Sequence, residues 1–260
     1  MGRWVMEEND LKVKSLAKAL RILECFSAKQ PELGITQISQ MMGMSKSNVH
    51  NMVSTFEQMG YITRLPGGKY GLGLKILEFS FIINQHLGYP KAVYDILDDI
   101  ARQTDEIVYF GLPQGTDVLY LYVVHPRSKM SALPYRNIMG EKAPLFCTGI
   151  GKAMLAFMPE DEWPRKIPQN RVKNTENTML EYDEILEDLR RTRHRGYSID
   201  NAEKDVGVRC VGVPIFNTYG KLVAGVSTSG PASSMTDEKL RSCAKVLQDE
   251  SLRMRERIYN

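Results

Sequence analysis

Six polar side chains crowd one short stretch of this 260-residue chain: Lys46, Ser47, Asn48, His50, Asn51 and Ser54. Between them Val49, Met52, Val53, Phe56 and Met59 recur at spacings of three and four, which predicts a helix with one apolar and one polar face. Ser45 is placed to cap its start, and Gly60 to end it. The chemistry on offer is recognition of a nucleic-acid groove. Asparagine bonds adenine through two atoms at once, serine can donate or accept, and a lysine at the positive end of a helix suits a phosphate. His50 reads equally well as a solvated surface histidine. A second stretch, Pro144-Leu145-Phe146-Cys147-Thr148-Gly149-Ile150-Gly151-Lys152, opens another expected helix with small residues. Free amides at such a start can hold a carboxylate, and the same glycines can serve packing alone.

The elements around the first stretch must aim it. Val13, Leu16, Leu20, Leu23 and Phe26 make one apolar face, so residues 13–26 predict a helix. A loop around Pro31 to Gly34 follows. Thr36 is then expected to cap a short helix over 37–42, and Gly43 to supply the turn into the helix that starts after Ser45. Helix, turn and a second helix with short polar residues at its start form the helix-turn-helix pattern. Two short strands, 61–65 and 69–72, flank Pro66-Gly67-Gly68 and predict a hairpin wing, with Arg64 and Lys69 beside the turn and within reach of phosphates. The charge distribution agrees. The chain carries +3 overall, yet residues 12–75 hold nine Lys/Arg against three Asp/Glu. A basic module is thus joined to a near-neutral remainder.

Beyond it, residues 74–87 predict a helix punctuated by Gly88 and Pro90, followed by an amphipathic helix with Val93, Ile96, Leu97, Ile100 and Ala101 as its stripe. Strand-like runs at 107–112, 118–124, 208–215 and 222–229 alternate with expected helices at 151–157, 182–195 and 236–258. That intermixture predicts a sheet with helices packed on it. Enzyme signatures are missing. The four histidines, His50, His86, His125 and His194, have no motif pairing them with a cysteine. No HExxH, P-loop or GxSxG occurs, and Gly149-Ile150-Gly151 is too short for a dinucleotide fingerprint. The scattered Cys25, Cys147, Cys210 and Cys243 form no CxxC pair, which fits a reduced, cytoplasmic protein with no metal ribbon. No run is long and apolar enough for a membrane span, and no membrane partner is expected.

Ser15-Leu16-Ala17-Lys18-Ala19-Leu20-Arg21-Ile22-Leu23, Gly43-Met44-Ser45-Lys46-Ser47-Asn48-Val49-His50, Gly60-Tyr61-Ile62 and Tyr70-Gly71-Leu72-Gly73 carry a resemblance to the isocitrate-lyase-regulator (IclR) family of bacterial transcription regulators. Gly196, Asp200, Glu203, Cys210, Val211, Gly212, Ile215, Phe216 and Asn217 stand at the spacing of that family's C-terminal signature. The family usually has Thr at the place of Asn48 and Arg at that of Asn51, which bears on the operator this chain would read. The resemblance implies an α+β protein: a flexible N-terminus (1–12), a winged helix-turn-helix (13–73), a linker helix (74–88) and a GAF-like effector-binding domain with an antiparallel sheet (89–260). Matching positions make Asp200, Cys210, Ser227 and Ser229 ligand contacts beside Thr148, Gly149, Ile150 and Gly151, with Glu203 in a structural or rim role. Without the resemblance, Asp200 reads as a turn residue, Cys210 as a small buried hydrophobe and the serines as a solvent face. The expected partners are double-stranded DNA bearing a pseudo-palindromic operator, a small carboxylate metabolite (a keto acid or sugar acid), and a second copy of the chain in a dimer, with dimers paired into tetramers. No cofactor is expected. The competing readings are a catalytic C-terminal domain tethered to DNA, or a cavity holding a metal through Asp200 and Cys210.

Overall fold

The computed structural model describes residues 12–129 and 139–258, so the expected flexible N-terminus, but for residue 12, lies outside the described residues. The chain divides between Leu87 and Gly88 into two compact units.

The first unit runs α1 (Lys14–Leu23), β1 (Leu33–Gly34), α2 (Ile35–Met42), α3 (Lys46–Gln58), β2 (Ile62–Leu65), β3 (Lys69–Leu72) and α4 (Lys75–Leu87). Its three strands form an antiparallel sheet in the order β1-β3-β2. Ile22, Phe26, Leu33, Ile38, Val49, Val53, Ile62 and Tyr70 make its core. Two expectations are corrected. Thr36 does not cap α2, because Leu33 and Gly34 pair with Tyr70 and Lys69 and the chain passes straight from that strand into the helix. Gly34 is the cap residue, its N–H donating to Gln37 Oε1 at 2.9 Å, and Thr36 sits exposed in the first turn. The predicted apolar face of α1 also turns only partly inward. Of that face Phe26 is buried and Leu23 half-buried, whereas Val13, Leu16 and Leu20 stay exposed in the single chain, and the helix buries Ile22, which lies outside the predicted face. The turn between α2 and α3 is Gly43, at a φ of 62°, a left-handed cap that glycine adopts without strain.

The second unit contains α5 (Tyr89–Thr104), β4 (Ile107–Gln114), β5 (Asp117–Val124), β6 (Lys142–Pro144), α6 (Gly149–Phe157), α7 (Trp163–Lys166), α8 (Tyr182–Arg195), β7 (Ser198–Asn201), β8 (Val208–Phe216), β9 (Leu222–Pro231) and α9 (Asp237–Arg257). The six strands are antiparallel in the order β6-β5-β4-β9-β8-β7. Here α6 begins two residues before its predicted start, because the Thr148 hydroxyl accepts the N–H of Gly151 and closes the first turn there.

Strand alternation gives the sheet two different faces. On one, Val211, Val213, Val226, Val108 and Phe110 are buried, and the Arg209 guanidinium on that side holds Met235 O at 2.6 Å and Asp237 at the start of α9 at 2.7 Å. The other face carries three glycines where most folds place side chains: Gly111 on β4, Gly225 on β9 and Gly212 on β8, with Gly111 directly opposite Gly225. A Cβ on Gly225 would meet Ile150 and Met154 at 2.9 Å, and one on Gly212 would meet the Gly149 carbonyl at 2.6 Å. The glycines form a ledge on which the apolar helix α6 lies against the sheet backbone.

Candidate functional site

In the first unit the polar face expected from the sequence forms one exposed surface. Ser45 caps α3, its hydroxyl accepting Asn48 N–H at 3.4 Å. Val49 and Val53 point into the core, which fixes the roll of the helix. Ser45, Lys46, Ser47, Asn48, His50 and Asn51 are left exposed on its opposite side and first turns. In the wing, Gly67 and Gly68 both take positive φ between β2 and β3. Arg64 pairs across from Tyr70 and Leu65 from Lys69, so the two basic side chains leave opposite faces of the hairpin. Lys69 is held by Glu32 at 3.3 Å, both side chains being exposed. An anion at Lys69 would have to displace that carboxylate, whereas Lys46 stands at the start of a helix with no acidic residue in its first turn.

In the second unit the candidate ligand residues come together by register. Asp200 lies opposite Cys210, Cys210 opposite Ser229, and Ser229 opposite Ile107. One row further, Ser198, Gly212, Ser227 and Tyr109 face each other in the same way. Both rows lie on the face covered by α6, at the end where that helix begins. A Cβ on Gly149 would stand 2.9 Å from Cys210 Cβ. Thr148, Gly149, Ile150 and Gly151 are all buried there. Packing alone explains the glycines of this segment: a Cβ on Gly151 would fall 2.4 Å from Thr148 Oγ1 and 2.5 Å from Leu145 O. The Thr148 hydroxyl is engaged on both sides, accepting Gly151 N–H at 3.2 Å and donating to Pro144 O at 2.9 Å. The serines are not a solvent face, since Ser227 and Ser229 are both buried.

Hydrogen bonds and burial set the electrostatics. Ser229 Oγ donates to Cys210 Sγ at 2.9 Å. Asp200 Oδ1 accepts Glu203 N–H at 2.7 Å. Burial first, and the nearby Glu203 charge second, push the Asp200 carboxyl up to about 7. Burial, with the Asp200 charge behind it, raises the Cys210 thiol well above the ordinary range, and burial moves Cys147 up to about 12. Neither thiol is poised as a nucleophile, because the thiolate is the reactive form.

The sequence reading missed the charged centre behind this row. Lys152 in α6 is 1 % exposed, and its ammonium lies 2.5 Å from Glu203 Oε1 and 2.8 Å from Asp188 Oδ2 of α8. Burial works against its charge, but Glu203 and Asp188 outweigh it and hold the ammonium above its usual range. The signal was available: Lys152 is the one charged residue of α6, and a lysine in an apolar helix needs a buried partner. Glu203 is thereby a structural anchor, the first of the two roles, structural or rim, expected of it. Two aromatic residues were also missed. Tyr109 shares the Ser227 row, and its ring lies 5.7 Å from that of Tyr120, whose hydroxyl burial and the Cys210 thiol push upward. No group of three or more His, Cys, Asp or Glu suited to a metal ion occurs among the described residues. None of the helices among them is long and apolar enough to cross a membrane.

Comparison with known proteins gives concordant matches for both units. Residues 15–66 match the family model described as the IclR helix-turn-helix domain, and residues 85–254 the one described as bacterial transcriptional regulator IclR C-terminal. The chain is 31% identical over 242 residues to the HTH-type transcriptional regulator XynR of Escherichia coli, covering 92% of this chain and 95% of that protein. It is similar to the crystal structure of the Thermotoga maritima IclR, with a TM-score of 0.68 and 31% identity over 93% of this chain and 97% of that one. An IclR-type regulator from Alicyclobacillus acidocaldarius shares the fold at a TM-score of 0.82 and 20% identity, over 94% of this chain and 98% of that one.

Proposed function

This chain belongs to the IclR family of bacterial transcriptional regulators, and from that premise we propose that it is a homodimeric regulator whose affinity for a pseudo-palindromic operator is set by a small carboxylate metabolite. The family is one of regulators rather than enzymes, so the ligand is expected to be recovered unchanged. On this reading α3 enters the major groove, Ser47, Asn48, His50 and Asn51 face base edges, Ser45 and Lys46 anchor phosphate at its start, and Arg64 and Lys69 of the wing reach the adjoining backbone. Thr36, exposed in α2, stands as a further backbone contact. The second unit is read as a GAF-like effector-binding domain. Its ligand row is Asp200, Cys210, Ser227 and Ser229, with Thr148 to Gly151 at one end.

One observation carries the sensing half. Strand register brings Asp200, Cys210, Ser227 and Ser229 from β7, β8 and β9 together on the face covered by α6, at its N-terminal end, and this convergence of buried or half-buried polar side chains is what supports a polar ligand there. Among the regulators similar to this chain is XynR, and a keto acid or sugar acid is the ligand class proposed here. The ligand can alter DNA affinity only through a different affinity for the operator-competent and incompetent arrangements.

The test is thermal denaturation of the purified protein against a panel of keto acids and sugar acids, followed by operator binding with and without any hit. A ligand at 100 times its dissociation constant adds about 2.7 kcal/mol. A shift abolished in Ser227→Ala and Asp200→Ala, together with altered operator affinity, is the expected result. A hit that is consumed during incubation would overturn the regulator reading in favour of a catalytic one.

A further inference from the structure

Among the described residues two that are not glycine hold a positive φ, Asp105 at 54° and Ala202 at 58°. Asp105 ends α5, where a short polar side chain tolerates that conformation. Ala202 has no polar atom on its side chain, and the left-handed backbone disfavours such a residue by about 5–30-fold. It stands two residues after Asp200, at the start of the β7–β8 loop. Strain of this kind persists only where the surroundings impose it, so something must hold Ala202 there.

The connection between α7 and α8 supplies the hold. Three consecutive carbonyls of the loop accept side-chain donors from it. Asn177 Nδ2 donates to Asn201 O at 2.9 Å, Thr175 Oγ1 to Ala202 O at 2.7 Å and Thr178 Oγ1 to Glu203 O at 2.7 Å. Thr175 and Thr178 are buried, and their hydroxyls accept as well as donate. Thr178 Oγ1 accepts the N–H groups of Asn174 and Thr175 at 3.1 and 2.9 Å, and Thr175 Oγ1 that of Asn177 at 3.1 Å. The three donors therefore sit on one turn that is bonded to itself. The same turn reaches the start of α6, where Asn174 Nδ2 lies 3.6 Å from Cys147 Sγ.

Glu203 is gripped on both sides of its backbone. Its carbonyl accepts from Thr178, and its N–H donates to Asp200 Oδ1 at 2.7 Å. The Lys204 N–H also donates to the Asp200 carboxyl, and the Cys210 thiol is hydrogen-bonded to it. A carboxylate offers about four lone-pair sites. The backbone of the loop thus decides where the remaining acceptor capacity of Asp200 points.

We infer that Thr175, Asn177 and Thr178 are positioning residues for Asp200: they pin the carbonyls of residues 201–203, hold Ala202 in its left-handed backbone, and so present the Glu203 and Lys204 amides that aim the Asp200 carboxyl. None of the three belongs to the proposed ligand row. The aim of Asp200 is a property of the ligand-free chain and is tested there, whereas its consequence for ligand affinity rests on the effector reading above.

The experiment is amide hydrogen exchange of the full ligand-free chain, read at the Glu203 and Lys204 N–H groups. It compares wild type with Thr178→Val, Thr178→Ser and Thr178→Val/Ala202→Gly, and Asp200→Ala gives the level reached when both bonds are lost. Neither amide is bonded to Thr178, so exchange there reads Asp200 rather than the removed hydroxyl. Thr178→Val should speed exchange at both amides about tenfold or more, towards the Asp200→Ala level, while the middle of β8 and β9 keeps its protection. Thr178→Ser retains the donor and should behave as wild type. Adding Ala202→Gly should restore part of the protection, because glycine keeps the left-handed backbone without being forced. For any effector found in the panel, Thr178→Val should weaken binding about tenfold or more and Thr178→Ser should not.

Unchanged exchange in Thr178→Val would overturn the inference. So would an equal loss in Thr178→Ser, which would mean that the hydroxyl is not what holds the loop, or a loss spread evenly over β8 and β9, which would mark a weaker fold and no more. Should Thr178→Val fail to fold, Asn177→Ala removes an exposed side chain and puts the same question with the same outcomes. An effector bound as tightly by Thr178→Val as by wild type, with the loop opened, would separate the aim of Asp200 from affinity and leave the effector reading standing. Absence of any effector would sink the sensing reading, while the exchange result still decides this one.

Discussion

Lys152 shows how much a single buried charge constrains its neighbours. Its ammonium joins α6 to α8 through Asp188 and to the β7–β8 loop through Glu203. Replacing it with methionine keeps most of the volume and the apolar stem but strands two carboxylates in the interior. Breaking a buried ion pair from one side costs about 3–5 kcal/mol, so Lys152→Met should lower unfolding free energy by that order. Neutralising Glu203 as well, in Lys152→Met/Glu203→Gln, should recover part of the loss, because one stranded charge disappears. A double variant no more stable than the single one would mean that Glu203 tolerates its surroundings without Lys152. The same calculation explains why Glu203 is suited to a structural role: the lysine takes its Oε1, and the Asn201 N–H approaches the same oxygen at 3.3 Å.

At the scale of elements, the Thr148 cap sets where α6 begins, and the glycine ledge sets how closely its first turn lies on the sheet beside the proposed ligand row. Gly212→Ala would place a methyl 2.6 Å from the Gly149 carbonyl and 2.9 Å from Ile150 N, both backbone atoms that cannot rotate away. Overpacking of this kind costs about 1–3 kcal/mol. Its specific effect should be to lift the first turn of α6 from β8 and abolish any effector-induced rise in Tm while the protein still folds. Retained effector response in a folded Gly212→Ala protein would detach the ledge from the site. On α3 the expected division is between anchoring and reading. Lys46→Ala should weaken binding to every duplex and shallow the salt dependence by about one unit, if it holds one phosphate. Asn51→Ala should change preference at one base position per half-site, worth about 1–3 kcal/mol. Equal, sequence-blind losses from both would show that Asn51 does not read bases. Much of this was legible because helix period and strand alternation are local: the polar face of α3, the wing and the four long strands all announce themselves in residue spacing. What was not legible depends on pairing at a distance. The two-residue strand Leu33–Gly34 exists only because β3 offers it partners, and that pairing moves the start of α2 away from Thr36. Likewise Gly111 is distant in the chain from Gly212 and Gly225, and the three become a ledge only once β4, β9 and β8 are set in register.

For the whole molecule the unanswered apolar surface of the first unit matters most. Val13 just before α1 and Leu16 and Leu20 on it are exposed, as are Leu77, Phe81, Ile82 and Ile83 on α4. A single exposed leucine is ordinary, but repeated large apolar groups on two helices of one small unit mark a surface that something covers. A second copy is the occupant that the proposed operator requires, since a two-fold protein reads a two-fold site with half-sites about 34–36 Å apart, one helical turn. Joining two readers makes the second contact intramolecular and strengthens binding by about 10²–10⁴. Leu16→Glu puts a charge on the α1 face without touching the polar side of α3. It should convert a dimer, measured by sedimentation at micromolar concentration, into a monomer, and weaken binding to a full operator by a factor within that range. Binding to an isolated half-site should hardly change, because the reading helix is intact. A wild-type chain that sediments as a monomer yet binds the full operator tightly would refute the dimeric scheme. Loss of half-site binding in Leu16→Glu would show instead that the substitution had damaged the fold of the reader itself.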